Sequence, residues 1–279
     1  MKLLEGKPVA ARINDNLKKE IEEMKLKPVL ASIQVGENAG AEAYAKSQKK
    51  AAQNLGIEYK FHKLDQATKA RELIDFIQDL NQDKGISGII LQMPLPAHID
   101  YKKMSSFILP EKDVEGMHPA NAGKIVFGKA KILPCTPAAV MELLKETGID
   151  LYGKETVIIG HSEIVGKPLS LLLLEKFATV TVCHIGTFAA GKLEEHTGRA
   201  EILIVAVGKA GLIKGEWVRQ GAVVIDVGIN RVEGKIVGDV GFEEAAKRAS
   251  LITPVPGGVG PLTVTMLMRN VVEAAKGLK

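Results

Sequence analysis

The stretch that decides the fold reads Thr156-Val157-Ile158-Ile159-Gly160-His161-Ser162-Glu163-Ile164-Val165-Gly166-Lys167-Pro168. Its first four residues are a buried-strand signal, and the helix that follows offers free N–H groups at its start. A glycine at the end of a strand lets the chain turn, so that a phosphate can sit against those groups. The pattern is G-x-S-x-x-x-G, a departure from the usual G-x-G-x-x-G, and alone it reads equally as an ordinary β–α turn. Three further apolar strands at 178–183, 202–207 and 222–227 follow in the right order and turn the reading toward a dinucleotide site. At the end of the second, Cys183-His184-Ile185-Gly186-Thr187 has neither an acid for a ribose 2′-hydroxyl nor an arginine for a 2′-phosphate.

Upstream, helix and strand alternate. Val9, Ile13, Leu17, Ile21 and Met24 recur at helical spacing over 8–25. Val29 to Val35 reads as a strand, 40–55 as a helix ended by Gly56, 57–64 as a strand and 67–82 as an amphipathic helix. Gly88-Ile89-Ile90-Leu91-Gln92 is a short buried strand stopped by Pro94 and Pro96. Strands separated by helices predict a parallel sheet covered on both faces. Prolines in Leu133-Pro134-Cys135-Thr136-Pro137 mark a boundary, followed by a helix over 138–147. The expected fold class is α/β, with residues 1–135 and 262–279 in one domain and 136–261 in a Rossmann-type domain. The last helix, 264–276, is expected to pack back on the first domain.

A length of 279 residues suits about two domains. The apolar fraction of 46% suffices for buried cores, and the net charge of +4 is mild. Lysine and arginine are scattered without interleaved aromatics, so nucleic acid is not expected as a partner. Cys135 and Cys183 lie in apolar surroundings, which argues against disulfides, and the histidines lack metal-ligand spacing, so no metal is expected. The first residues lack the pattern of a signal peptide and no run is long enough to span a membrane, so the expected location is cytoplasmic. No G-x-S-x-G elbow or P-loop lysine motif is present.

Several residues invite two readings. Tyr44 and Gln48 share a helix face with lysines alongside, which fits a solvated basic surface as well as a site. Gln92 is a local hydrogen-bonder or part of a pocket floor. Asp113 and Glu115 lie in Asp113-Val114-Glu115-Gly116, a solvated turn or a ligand loop. The run Pro254-Val255-Pro256-Gly257-Gly258-Val259-Gly260-Pro261 fixes some φ angles, frees others and exposes bare backbone, as a tight turn or a meeting point for cofactor and second substrate.

Together these residues resemble the bifunctional methylenetetrahydrofolate dehydrogenase/cyclohydrolases over essentially the whole chain. The resemblance is carried by Val35-Gly36-Glu37-Asn38 with Tyr44, Leu91 through Pro96, Lys112-Asp113-Val114, Pro134 through Pro137, Ile159 through Pro168, Asp226-Val227-Gly228-Ile229-Asn230-Arg231 and Pro254 through Pro261. It implies a homodimer acting on tetrahydrofolate one-carbon derivatives, with a folate domain and a Rossmann domain. It also implies catalytic roles for Tyr44, Gln92 and the positions of Gln48 and Glu115, and folate contacts at Asp113, Pro256, Gly257, Gly258 and Gly260. The dinucleotide is implied at Thr136, Gly160, His161, Ser162, Ile164, Ile185, Val207, Gly208, Ile229 and Thr263.

The departures bear on activity. Gln48 stands where the family carries its cyclohydrolase lysine, Ala39-Gly40-Ala41 where it reads Pro-Ala-Ser, and Glu115 where it has aspartate. His161 and Ile185 stand where NADP-using members carry arginine and serine, which favours NAD over NADP. Hydride transfer from methylenetetrahydrofolate needs proximity and orientation rather than a base. Hydrolysis of the methenyl product needs proton transfer, in which a lysine of lowered pKa can serve and an amide cannot. The expectation is therefore a dehydrogenase with weak or absent cyclohydrolase activity. A fully bifunctional enzyme and a non-catalytic nucleotide-binding regulator are the alternatives.

Overall fold

The computed structural model describes residues 2–25 and 27–277. Along the chain, β1 (Lys2–Leu3) leads to α1 (Gly6–Glu23), β2 (Val29–Val35), α2 (Ala39–Leu55), β3 (Glu58–Leu64), α3 (Ala70–Gln82) and β4 (Gly88–Leu91). Two short helices follow, α4 (Tyr101–Ser105) and α5 (Pro119–Val126). Next come α6 (Cys135–Thr147), β5 (Glu155–Ile159), α7 (Gly166–Leu174), β6 (Thr179–Cys183), α8 (Ile185–Ala189), α9 (Leu193–Arg199), β7 (Ile202–Val205) and β8 (Val223–Asp226). A hairpin of β9 (Asn230–Val232) and β10 (Lys235–Val237) precedes α10 (Phe242–Arg248), β11 (Leu251–Ile252) and α11 (Val259–Gly277). The chain forms two compact units, Arg12–Cys135 with Val264–Lys279, and Met1–Ala11 with Thr136–Thr263.

The first unit holds a parallel three-stranded sheet ordered β3-β2-β4. Side chains alternate across a strand, so Val29, Ala31, Ile33 and Val35 share one face of β2. They pack with Leu73 and Ile77 of α3 and with Ile89 and Leu91 of β4 in a sealed core. The other face of β2 carries Leu30, Ser32 and Gln34. Helix α2 opens on Asn38, whose Oδ1 accepts from Ala41 N at 2.9 Å, and closes on Gly56 in the left-handed region.

The last helix of the chain contributes to this unit as expected. Asn270 Nδ2 donates to the Val114 and Leu133 carbonyls at 2.8 Å each, and Lys276 pairs with Glu20.

The second unit holds a six-stranded sheet, β1-β11-β8-β7-β5-β6, parallel throughout. The strands at 156–160, 178–183, 202–207 and 222–227 appear as β5 to β8, with ends that differ by one or two residues. The chain leaves β5 for β6 on one side and returns to β7 on the other. That reversal opens a crevice at the C-terminal ends of the strands, where open α/β sheets take ligands. Residues up to Ala11 group with this sheet because β1 pairs with β11. The sequence division placed them in the other domain, since a two-residue strand carries no periodicity to read. Helices α4, α5 and α8 to α10, and the hairpin, were likewise too short to foresee.

Lys112 shows how a charge is kept in the interior. It is 3% exposed, and its ammonium donates to the carbonyls of Leu80, Asn81 and Asp83 at 3.0, 2.7 and 2.7 Å. These are carbonyls of the last turn of α3, which lack intrahelical partners and carry the negative end of the helix dipole. Burial lowers the pKa of the amine, against the pull of Asp83 and Glu111. Lys112→Met keeps the length of the stem and removes the donors. We expect it to lower unfolding free energy by about 2–3 kcal/mol, read from the urea midpoint.

Candidate active site

In the first unit, strand register brings the polar residues together. Ser32 pairs with Phe61 on one side and Ile90 on the other, and Leu30 pairs with Tyr59. Tyr59, Ser32 and, two residues beyond Ile90, Gln92 therefore face the same side of the sheet. Gln48, on α2, is fully buried there. Its Oε1 accepts from Tyr59 Oη at 2.9 Å and from Gln92 Nε2 at 2.7 Å, and Gln92 Nε2 also donates to Ser32 Oγ at 3.0 Å.

Two donors on one oxygen fix the orientation of the carboxamide. Among the described residues Gln48 Nε2 finds no partner. A buried donor left unpaired is costly in a resting protein and is explained where a ligand supplies the acceptor.

These distances overturn the reading of this helix face as solvated, for Gln48 at least. Lys46 and Lys49 are exposed and line an outer cavity of about 250 Å³ with Tyr59 and Phe61. Tyr44 is 38% exposed. Burial, with the charges of Cys135 and Glu115, pushes its phenol well above the ordinary value, and the Gln48 amide acts the other way. Tyr59 is raised to about 12, chiefly by burial. Neither phenol ionises near neutral pH, so both act only through hydrogen bonds and ring contact.

The acidic loop is not a solvated turn either. Asp113 is 2% exposed, and its Oδ2 accepts from His118 N at 2.7 Å and Asn121 Nδ2 at 3.0 Å. Its chain segment lies against the sheet, where Ile89 N donates to Lys112 O at 2.8 Å. Asp113 thus organises the loop. Glu115 is partly buried, with Tyr101 Oη at 3.3 Å from its Oε2. Burial, then the charge of Asp113, raises its carboxyl to about 8.

In the second unit, two cavities divide the C-terminal edge of the sheet. One, of about 370 Å³, lies beyond β5, β6 and β7 and is lined by Gly160, His161, Ser162, His184, Ile185, Phe188, Val207 and Lys209, among others. The other, of about 270 Å³, lies beyond β8, β11 and β1, lined by Lys7, Asp226 to Ile229, Ile236 and Pro254 to Pro261.

Gly160 has φ +122°, and a Cβ there would stand 2.3 Å from Ala206 O. A Cβ at Gly166 would stand 2.0 Å from Gly160 O. Only bare backbone lets α7 approach the strand end so closely, leaving the 160–165 turn free to cradle a phosphate. Ser162 Oγ accepts from Val165 N at 3.1 Å and shapes that turn. The rings of His161 and His184 lie 5.1 Å apart, and Ile185 is 76% exposed beside them. The cradle and an apolar shelf of Ile185 and Phe188 suit a dinucleotide.

Of the sequence-predicted cofactor residues, the first cavity gathers Gly160, His161, Ser162, Ile185 and Val207. The second gathers Ile229 with Pro256, Gly257, Gly258 and Gly260. Thr136, Ile164, Gly208 and Thr263 line neither. Thr263 Oγ1 instead donates to Val259 O at 3.3 Å.

Sequence reasoning missed Ser32, Tyr59 and Lys209. Ser32 had a signal, a polar residue inside a wholly buried strand. The other two depend on register and loop packing. Among the described residues no cluster of His, Cys, Asp and Glu is suited to hold a metal, and no helix is long and apolar enough to cross a membrane.

Residues 4–115 match the catalytic domain of tetrahydrofolate dehydrogenase/cyclohydrolase, and residues 134–279 match its NAD(P)-binding domain. The chain belongs to the tetrahydrofolate dehydrogenase/cyclohydrolase family. A relative from Acetivibrio thermocellus, the bifunctional protein FolD, is 52% identical over 99% of this chain and 97% of its own. The crystal structure of bifunctional FolD from Campylobacter jejuni superposes with a TM-score of 0.95 at 45% identity, covering 99% of both chains. That of the Trypanosoma brucei enzyme, complexed with NADP and an inhibitor, gives 0.92 at 36% identity, covering 98% of this chain and 96% of the other. Family membership establishes an NAD(P)-binding domain and tetrahydrofolate chemistry, and with them the two domain types expected from the sequence.

The raised carboxyl of Glu115 has a consequence for stability. Between about pH 4.5 and 8 the folded chain holds a proton that the unfolded chain has released. Stability therefore falls as pH rises through this window. Glu115→Gln cannot ionise. It should melt close to the native protein at pH 4.5 and above it at pH 9, by about 2–4 °C for each kcal/mol relieved, as followed by calorimetry.

Proposed function

We propose that this protein oxidises 5,10-methylenetetrahydrofolate to 5,10-methenyltetrahydrofolate with NAD(P), and that it hydrolyses the methenyl product slowly. One observation carries the second clause. Gln48, in the position of the family's cyclohydrolase lysine, is a buried amide with its oxygen already engaged by Tyr59 and Gln92. Such a group donates a hydrogen bond and moves no proton.

When bound, the nicotinamide accepts the hydride. The chain's own residues hold the folate. Tyr44 lies along the pterin, Gln48 Nε2 donates to it, and Gln92 keeps Gln48 oriented. Glu115, its carboxyl raised to about 8 by burial, offers an oxygen to the pterin's amino group. The lone pairs of the folate's own nitrogens stabilise the cation that forms, so no side chain is asked to act as base.

A second reading, the fully bifunctional enzyme making 10-formyltetrahydrofolate, is favoured by the names of the relatives. FolD proteins are called bifunctional, and those names support this reading better than a dehydrogenase alone. Water would then be activated by a group other than residue 48.

Two assays divide the readings. Purified protein should reduce the dinucleotide with methylenetetrahydrofolate yet consume added methenyltetrahydrofolate near the buffer rate. Gln48→Lys should speed the second step, by up to about 10²-fold if general acid–base help is what is lacking. Turnover of the methenyl compound far above buffer in the native protein selects the bifunctional reading. An absence of dinucleotide reduction would leave only a nucleotide-binding regulator.

For the cofactor we propose NAD ahead of NADP. Ile185 offers no donor to a 2′-phosphate, and His161 lacks the guanidinium fork that grips one. Lys209 and the NADP complex of the trypanosomal relative weigh the other way. At pH 8, kcat/KM should be several-fold higher with NAD, and a preference for NADP there would reverse the assignment. A homodimer located in the cytoplasm completes the proposal, with sedimentation equilibrium as the check on assembly.

A further inference from the structure

Beyond β7 the chain turns through Ala206 to Lys209, with Gly208 at φ +69°. The successive amides of Val207, Gly208 and Lys209 converge on one point. A concave row of N–H groups of this kind is an anion site. Here the anion is internal. Asp239 is fully buried, and its Oδ2 accepts from Val207 N at 2.7 Å and Gly208 N at 2.9 Å. Its Oδ1 accepts from Lys209 N at 2.8 Å and from Asn230 Nδ2 at 2.8 Å.

The carboxylate is itself held in place. Asp239 N donates to Asp226 Oδ1 at 3.0 Å, and a Cβ at Gly228 would stand 2.2 Å from Asp239 Cγ. The loop gripped in this way forms one wall of the cavity beyond β5, β6 and β7. Val207 and Lys209 both line it, and the Lys209 ammonium lies 5.3 Å from the centre of the Phe188 ring.

We propose that Asp239 is a positioning residue for the dinucleotide. By filling the 207–209 amide nest it denies that nest to the cofactor's phosphates and leaves them the 160–165 turn. It also fixes where Val207 and Lys209 stand on the wall of that cavity. The proposal rests on the reading of this cavity as the dinucleotide site.

The test is titration calorimetry of the full chain with NAD, NADP and the non-reacting fragment ADP-ribose, beside steady-state kinetics. Asp239→Asn keeps the size of the side chain and loses the charge and part of the acceptor capacity. It should raise Kd and KM for the dinucleotide about tenfold or more, with kcat at saturation and the folate KM within about twofold of native. A merely structural residue would lower the melting temperature without moving dinucleotide affinity apart from folate KM.

Asn230→Ala removes one bond to the carboxylate and is the gentler variant. It should raise the dinucleotide Kd about two- to fivefold in the same selective way. A folded Asp239→Asn protein that binds with native Kd overturns the proposal. If that variant does not fold, an unchanged Kd in Asn230→Ala overturns it instead. Native protein that binds none of the three ligands overturns the reading of the cavity, and the proposal with it.

Discussion

A carboxylate removed from water must collect N–H groups, and in the nucleotide-binding unit two such carboxylates hold the edge on which both cavities open. Asp226, at the end of β8, accepts from the amides of Gly228, Asp239 and Val240 at 2.9, 3.0 and 2.9 Å. Asp239 then accepts from the loop beyond β7. Burial still raises Asp226 to about 6, against the lowering effect of those backbone bonds. The cost of sealing the charge is thus only partly offset by its partners. What the arrangement secures is position. Strand ends that would otherwise trail into loops are tied to one another across the sheet, and glycines at 228 and 238 are required because a side chain at either would meet a carboxylate.

The same physics governs the folate-type unit with neutral groups. Ser32, Gln92, Gln48 and Tyr59 form a chain of hydrogen bonds on one face of a sheet whose other face carries the apolar core residues of β2 and β4. Each bond fixes the direction of the next. Gln92 and Tyr59 both donate to the oxygen of Gln48, so its amide nitrogen is left as a donor. In a low-dielectric interior such a network fixes the orientation of every member, the unmatched donor included. An amide at this point offers hydrogen bonds and no titrating proton. Orientation of a hydride donor survives the replacement of an amine by an amide, whereas proton transfer does not.

How much of this was legible beforehand depended on the range of the interactions. Strands β2, β4, β5, β7 and β8 announced themselves because they are buried on both faces and read as continuous apolar runs. The 160–168 turn was legible because tight approach needs glycine whatever surrounds it. Tyr59 and Asp239 were not. One lies on a strand of mixed burial, and the other follows a short hairpin; each matters only through a partner 11 to 32 residues away in sequence. The acids at 113 and 115 were read as a possible solvated turn, because nothing local shows that the segment runs against β4.

The sequence by itself determined the α/β class, the order of the main strands, the glycine-framed turn after β5 and the presence of an amide at position 48. These follow from periodicity, from the steric needs of glycine and proline, and from residue identity, all of which are local. Only the tertiary structure decided that Gln48 is sealed and oriented, that burial beside Asp113 raises the carboxyl of Glu115, and that Asp239 grips the loop beyond β7. Those properties arise from desolvation and hydrogen-bond geometry, which exist only once distant segments have excluded water from one another.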